Sequence, residues 1–392
     1  MNMRYLTMVI SCMFLVLTLL PIVSSNDFSC SKTIYVDDDN KQGPWDGTQE
    51  HPYYHIQDAI NMTDNGDTVF VYSGCYNERI RIATSIVLTG EDKVTTVIDG
   101  GQKDNVVIIS ADTTTIKEFT IRSGLTMQSG ILIDKYVRSI TISDAIIRDN
   151  RYGIYAPYNT SGDILITDTI IKENLHGILS YASPVTISNN KLYQKTKGPC
   201  IELIKAADSW ITDNYFSVSG DGIEISEGNN NIISYNTIIL KGNDPGQAID
   251  LNILGDNNII MSNNISSETF RSGEGIRLEM REAPSGEPQG QIVQYNTLSC
   301  LRQGIYIQYS PNIPTLWKNT ITDNNFFDVA EPADFHNALG TQWESNYWGK
   351  PYLLKFTIWG TLRLSLRHSL SWRQYDRHPR LLPYQPDEEQ NT

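Results

Sequence analysis

Through most of the chain, runs of three to five residues place Ile, Leu or Val at every second position, and Gly, Asn or Asp closes each run. Period-two alternation predicts short β-strands with one apolar face. One phrase organises the pattern. It reads Gly130-Ile131-Leu132-Ile133, Gly153-Ile154-Tyr155-Ala156, Gly177-Ile178-Leu179-Ser180, Gly222-Ile223-Glu224-Ile225, Gly275-Ile276-Arg277-Leu278 and Gly304-Ile305-Tyr306-Ile307. Cys200-Ile201-Glu202-Leu203 and Ala248-Ile249-Asp250-Leu251 are looser copies that fill the gaps. Gly130 to Gly153 is 23 residues and Gly153 to Gly177 is 24. A fixed period in the twenties means one unit stacked many times.

Each unit carries three short strands and three turns, with no helical spacing. Thr141–Asp144, Ile146-Ile147 and the Gly153 phrase form one such set, and Leu165–Asp168, Ile170-Ile171 and the Gly177 phrase form the next. The expectation is an all-β, single-domain, right-handed parallel β-helix of about ten coils, with alternating apolar residues inside. An Asn precedes the middle strand in later units, as at Asn214, Asn236, Asn264, Asn296 and Asn319. Such an Asn suits a turn that needs a left-handed residue or a side-chain bond to its own backbone, and in register its amide can bond along the stack. Ile56, Ala59 and Ile60 lie at helical spacing within 55–61, which predicts a short helix closing the N-terminal end.

The two ends read differently. Arg4, the apolar stretch Leu6–Val23 and the small residues Val23-Ser24-Ser25 predict a signal peptide over 1–25, with an uncleaved membrane anchor as the rival. Segment 26–348, with its N-terminal cap at 26–66, is expected to be the β-helix. Segment 349–392 shifts to basic and aromatic residues. There Leu362, Leu364 and Leu366 alternate with Arg363, Ser365 and Arg367, predicting an edge strand in a capping extension. An attachment surface for an anionic envelope is the alternative. Export agrees with sequons at Asn61, Asn159 and Asn264. Cys30 and Cys75 could pair. Cys200 and Cys300 lie about four coils apart, too far for a disulfide, and are expected to be buried.

The formal net charge of −14 argues against nucleic acid or an anionic membrane surface as main partner. A membrane contact is expected only through an uncleaved N-terminal segment.

The segment Gly47-Thr48, His51-Pro52-Tyr53, Ile56–Ile60, Gly66–Val69, Gly74, Tyr76 and Glu78 resembles the entry of right-handed parallel β-helices of the pectin-lyase-like superfamily, including NosD-like periplasmic and archaeal surface proteins. Asn346-Tyr347-Trp348-Gly349-Lys350-Pro351, Tyr375-Asp376 and His378-Pro379 resemble the close of that group. The resemblance implies the fold across roughly 33–384 and leaves activity open. The paired Asp, Gly-His-Gly and Arg-Ile-Lys pattern of polygalacturonases is absent. Copper handling, which the NosD likeness implies, lacks soft-ligand spacing: the six His are scattered and Met62, Met127, Met261 and Met280 form no cluster.

In the repeated phrase the third position points outward. Glu202, Glu224 and Asp250 are therefore expected on successive rungs of one exposed ladder, with Arg277 next. Glu224, Asp250 and Arg277 are the candidate catalytic residues, as general acid, base and charge-neutraliser. Glu202, Asp221 and Glu279 are candidate substrate contacts, with Tyr155, Tyr181 and Tyr306 as stacking surfaces. No cofactor is expected, although the acidic ladder offers a place for a Ca2+ ion that would relieve its repulsion. The leading expectation is an exported or cell-surface protein that binds a polysaccharide or cell-envelope glycan on this face. A polysaccharide lyase or glycoside hydrolase is the first alternative, and a structural or adhesion protein without catalysis the second.

Overall fold

A computed structural model describes residues 31–252, 255–280, 289–309, 315–365 and 368–385. The expected signal segment, Cys12 and Cys30 lie outside the described residues. No helix among the described residues is long and apolar enough to cross a membrane.

Three strands per coil repeat along the body. In one coil they are Ile201–Ile204, Trp210–Thr212 and Tyr215–Val218; in the next, Ile223–Ser226, Ile232–Ser234 and Thr237–Leu240. Each pairs in parallel with its counterpart one coil on, so Ile201 faces Ile223, Trp210 faces Ile232 and Tyr215 faces Thr237. The result is a right-handed parallel β-helix of about eleven turns. Two apolar columns run up the inside of the sheet carrying the repeated phrase. Ile201, Ile223, Ile249, Ile276 and Ile305 form one, and Leu203, Ile225, Leu251, Leu278 and Ile307 the other. All ten are at most 1% exposed, so every coil buries its neighbours' apolar residues as well as its own.

The repeated Gly is required by a close approach. None of Gly177, Gly222, Gly275 and Gly304 has positive φ. A Cβ on them would lie 2.3–2.5 Å from the carbonyl oxygen of Cys200, Ala248, Gly304 and Pro332 respectively, the matching position one coil on. Gly222→Ala is therefore expected to lower stability by about 1–3 kcal/mol, since backbone must shift in both coils; equilibrium urea unfolding measures it, and an unchanged midpoint would refute the packing argument.

The recurrent Asn bonds along the stack and to the carbonyl two residues before it, as expected, but is not itself the left-handed residue. The left-handed residue is the one before it: Asp213, Tyr235, Ser262, Tyr295, Asp323 and Ser345 have φ between 55° and 59°. That turn aims the following Asn inward. Asn190, Asn214, Asn236, Asn263, Asn296, Asn324 and Asn346 form a buried column in which each backbone N–H and each Nδ2 donates to the Oδ1 of the next at 2.9–3.0 Å. The column ends on the buried carboxylate of Asp376, whose Oδ2 accepts from Asn346 N–H at 2.9 Å, Asn346 Nδ2 at 3.2 Å and Trp348 Nε1 at 3.0 Å. Asn264 and Asn319 belong elsewhere. Asn264 is exposed on its strand, and Asn319 continues a second column through Asn231, Asn258 and Gln291.

The helix forms over Ile56–Asn61 and buries Ile56, Ala59 and Ile60. Its first turn is capped from a distance, as the Glu78 carboxylate accepts from the N–H groups of Ile56 at 2.9 Å and Gln57 at 3.0 Å. At the other end the expected edge strand is instead the inner arm of a hairpin. Phe356–Ser365 pairs in parallel with Glu331–His336 and antiparallel with His368–Asp376. Leu362 is buried, the side chain of Leu364 is not described, and Leu366 lies outside the described residues. Beneath the hairpin, Phe326, Trp348 and Phe356 stack nearly parallel, with centroids 4.7 and 4.2 Å apart. They seal the end of the apolar column.

Cys200 is buried and its thiol is pushed up by burial; Cys300, expected to be buried, is half-buried with φ 57° at a turn. Neither is in a disulfide. Its backbone explains its place: the N–H donates to Phe327 O at 3.0 Å and the carbonyl accepts from Arg271 N–H at 2.8 Å.

Candidate functional site

The strand register places Glu202 beside Glu224, Glu224 beside Asp250, Asp250 beside Arg277 and Arg277 beside Tyr306. Each inner neighbour in these strands is a buried Ile or Leu, so period two turns all five outward. A second outward row two residues on reads Ser226, Asn252, Glu279 and Gln308.

The ladder is not the freely exposed one expected. Glu202 and Glu224 are half-buried, and Asp250 is only 8% exposed between Glu224 and Arg277. Its Oδ1 has no hydrogen-bond partner. Burial pushes the Asp250 carboxyl up to about 7; the Arg277 guanidinium opposes this, and the charges of Glu224, Asp221 and Glu279 add to it. Burial also raises the Glu202 carboxyl, with help from Glu224. Arg277 is held by Glu279, whose Oε2 accepts from Nη2 at 2.7 Å, and its guanidinium lies 5.8 Å from the Tyr306 ring centroid. Glu279 is itself 4% exposed. Ser226 Oγ donates to Glu224 Oε1 at 3.4 Å, and Tyr306 OH donates to Gln308 Oε1 at 3.0 Å.

The other sequence candidates are less central. Asp221 sits in the turn before the strand, where Oδ1 accepts from Gln247 N–H at 2.8 Å; burial raises its carboxyl against that bond. It lines a shallow pocket with Lys197, Asp244, Glu274 and Arg302. Tyr155 lies on the same ladder but Leu179 separates it from Glu202, and its ring stacks on Tyr152 at 5.2 Å. Tyr181 follows the strand His176–Ser180 and meets Tyr158 edge-on at 6.4 Å. The structure thus groups Glu202, Glu224, Asp250, Arg277, Glu279 and Tyr306, with Asp221 at the margin and Tyr155 and Tyr181 apart from them.

Three residues on the same rows had escaped the sequence pattern. Asp334 follows Tyr306 on the ladder, Trp359 follows Asp334, and His336 follows Gln308. The phrase Pro332-Ala333-Asp334-Phe335 starts 28 residues after Gly304, so the period alone could have found Asp334 and His336. Trp359 follows no period, because it arrives with the hairpin.

Among the described residues, no three His, Cys, Asp or Glu side chains converge as metal ligands, the acidic ladder included.

The family described as periplasmic copper-binding protein (NosD) matches residues 60–275, more than half of the chain. The chain belongs to the NosD family. No curated protein matches it in sequence. Among solved structures, this NosD-family chain is similar to the A-module of the mannuronan C-5 epimerase AlgE4 of Azotobacter vinelandii, with 16% identity, a TM-score of 0.57 and coverage of 80% of this chain and 94% of that one. It is similar to the GH136 lacto-N-biosidase of Eubacterium ramulus at 14% identity and a TM-score of 0.51, over 78% of this chain and 68% of that one. It is also similar to the Dettilon tailspike protein at 15% identity and a TM-score of 0.54, over 81% and 66%. At these identities the likeness is one of fold.

Proposed function

We propose that this NosD-family β-helix is an extracytoplasmic protein that binds a glycan chain along the row Glu202–Tyr306, with Asp250 and Arg277 at its centre. The observation that carries this reading is the buried, unpartnered Oδ1 of Asp250 beside a fixed guanidinium. A buried polar atom without a partner is costly, and a ligand hydroxyl would satisfy it. Tyr306 supplies a ring edge-to-face or face-on for a sugar, and the parallel rungs repeat at about 4.8 Å, a spacing suited to a polymer. Arg277 is already paired with Glu279 and acids outnumber cations on this face, so a neutral or amino sugar is favoured over a polyuronate. The mannuronan epimerase and lacto-N-biosidase named above lend analogy to a glycan partner, as proteins sharing the fold.

A catalytic version of the same reading draws on one further fact. A carboxyl titrating near 7 is suited to give and take protons at neutral pH. Asp250 would then transfer the proton, with Glu224 as the second carboxylate and Arg277 stabilising developing negative charge.

Copper, suggested by the family description, does not fit the residues present. His51 lies 3.4 Å from Asp46, His55 3.8 Å from Glu78 and His378 3.2 Å from Glu344, while His176 stacks on Tyr152 and His336 bonds Thr361. These imidazoles occupy separate places on the solenoid. Met280 is buried in the core. No step is assigned to copper.

The test is binding of the full chain to a panel of neutral, amino-sugar and acidic glycans, with products scored for new reducing ends and unsaturated sugars. Arg277→Ala is expected to weaken the best glycan about tenfold or more, equivalent to about 1.4 kcal/mol. Retention of no glycan by wild type, or equal affinity in Arg277→Ala, would sink the reading. Product formation by wild type that Asp250→Asn abolishes would establish the catalytic version.

A further inference from the structure

The ladder does not stop at Tyr306. Asp334 and then Trp359 continue it in register, four rungs beyond Asp250. In Phe356–Ser365 the inner positions are taken by Ile358, Gly360 and Leu362, all buried, so Trp359 and Thr361 face outward with the ladder. Gly360 is needed there, since a Cβ would lie 2.3 Å from Phe335 O and 2.6 Å from the Phe335 ring. The hairpin therefore seats tightly on the last full coil and fixes the height of the Trp359 ring.

Trp359 is 52% exposed, a large apolar ring left open at the end of the polar stretch Glu202 to Asp334 of the ladder. Its antiparallel partner Arg373 lays a guanidinium 4.1 Å from the ring centroid. That cation lies over one face of the indole and anchors it, so a sugar would stack on the other face. Asp334, half-buried beside it, carries a carboxyl raised by burial, and His336 lies one strand position pair away on the outer row. Trp359, Asp334, Phe356 and Pro332 line a shared surface recess. A flat ring with adjacent charged donors and acceptors is the chemistry that holds a pyranose, with apolar ring face against indole and hydroxyls to polar groups.

We propose that Trp359, with Arg373 and Asp334, forms a remote sugar-stacking subsite for the far end of the same glycan chain whose centre lies at Asp250. This rests on the glycan reading above and adds a length requirement to it. Four rungs at about 4.8 Å set the two points roughly 19 Å apart, so only an oligosaccharide of several units reaches both. A chain that does so gains affinity over one that ends at Tyr306.

The experiment is a binding series from disaccharide to long oligomers of the best glycan, on wild type, Trp359→Ala and Trp359→Phe. Wild-type affinity is expected to step up once the oligomer spans both points. Trp359→Ala should lose that step, about tenfold, and leave short oligomers within twofold of wild type. Trp359→Phe, which keeps a ring, should retain most of it. A wild-type affinity that levels off before the span is reached overturns the subsite whatever the variants do. A Trp359→Ala loss equal at all lengths, or no loss, overturns it while leaving the glycan reading standing. Retention of no glycan at any length by wild type overturns both.

Discussion

Replacing Asn263 by alanine is expected to cost about 3–5 kcal/mol of unfolding free energy, with a matching fall in the urea midpoint. Asn263 Oδ1 accepts from both Asn236 N–H and Asn236 Nδ2 at 3.0 Å, and Asn263 Nδ2 donates to Ile233 O at 2.9 Å and to Asn296 Oδ1 at 3.0 Å. Truncation strands the Asn236 N–H where no water reaches, since Asn236 and Asn263 are each 1% exposed; it also takes one bond from Asn236 Nδ2, which keeps Ile211 O, and one from the Ile233 carbonyl, which keeps its place in the strand ladder. The stranded N–H costs about 1–3 kcal/mol, and the other lost bonds add about 1 kcal/mol each. The neighbour Asn264 is the control: it is exposed, so Asn264→Ala should stay within about 0.5 kcal/mol of wild type. Equal effects of the two substitutions would show that the buried column is not what holds the coils in register.

Asp250→Asn is expected to stabilise the protein near pH 8 while weakening glycan binding. The folded carboxyl titrates at about 7 against an ordinary value of 3.8. Below pH about 4 both folded and unfolded chains hold the proton, and Asp250 costs nothing. Between about 4 and 7 the unfolded chain releases a proton that the folded chain keeps, so the folded state loses ground as pH rises. Above 7 the loss is complete and amounts to about 2–4 kcal/mol. Asparagine carries no such charge, so the variant should melt above wild type near pH 8, with the gap closing toward pH 4. Melting curves across that range measure it. A gap that stays flat, or a variant less stable at every pH, would show that Asp250 is not held in a strained electrostatic setting. Stability gained with function lost is the signature of a group kept for its chemistry.

The sequence made the ladder legible because the repeated phrase carries its own register. A Gly followed by two inward apolar residues fixes which position faces out, and so Glu202, Glu224, Asp250 and Arg277 fell on adjacent rungs. Where the phrase decays, the signal went with it. Asp334 follows Ala333 rather than an Ile, and Trp359 reaches its rung through a hairpin, a tertiary placement that no local period encodes. Burial was also hidden. A third-position acid reads as solvent-facing, yet Asp250 is covered by the side chains beside it. The Asn column was half legible: stacking could be foreseen, but the left-handed residue proved to be its predecessor, which is Asn, Asp, Ser or Tyr and so leaves little compositional trace.

The Asn column also has a polarity. Every amide in it accepts from the coil before and donates to the coil after. The side-chain dipoles therefore add head to tail, each turn polarising the next, as peptide dipoles do along a helix. The positive pole of this array falls at the amide of Asn346, and there the chain places the Asp376 carboxylate. An anion at that pole offsets the accumulated dipole. It also has no N–H to offer onward, so a further coil, or the first coil of a second molecule, would find no donor with which to continue the array. One buried carboxylate thus terminates this array of amides.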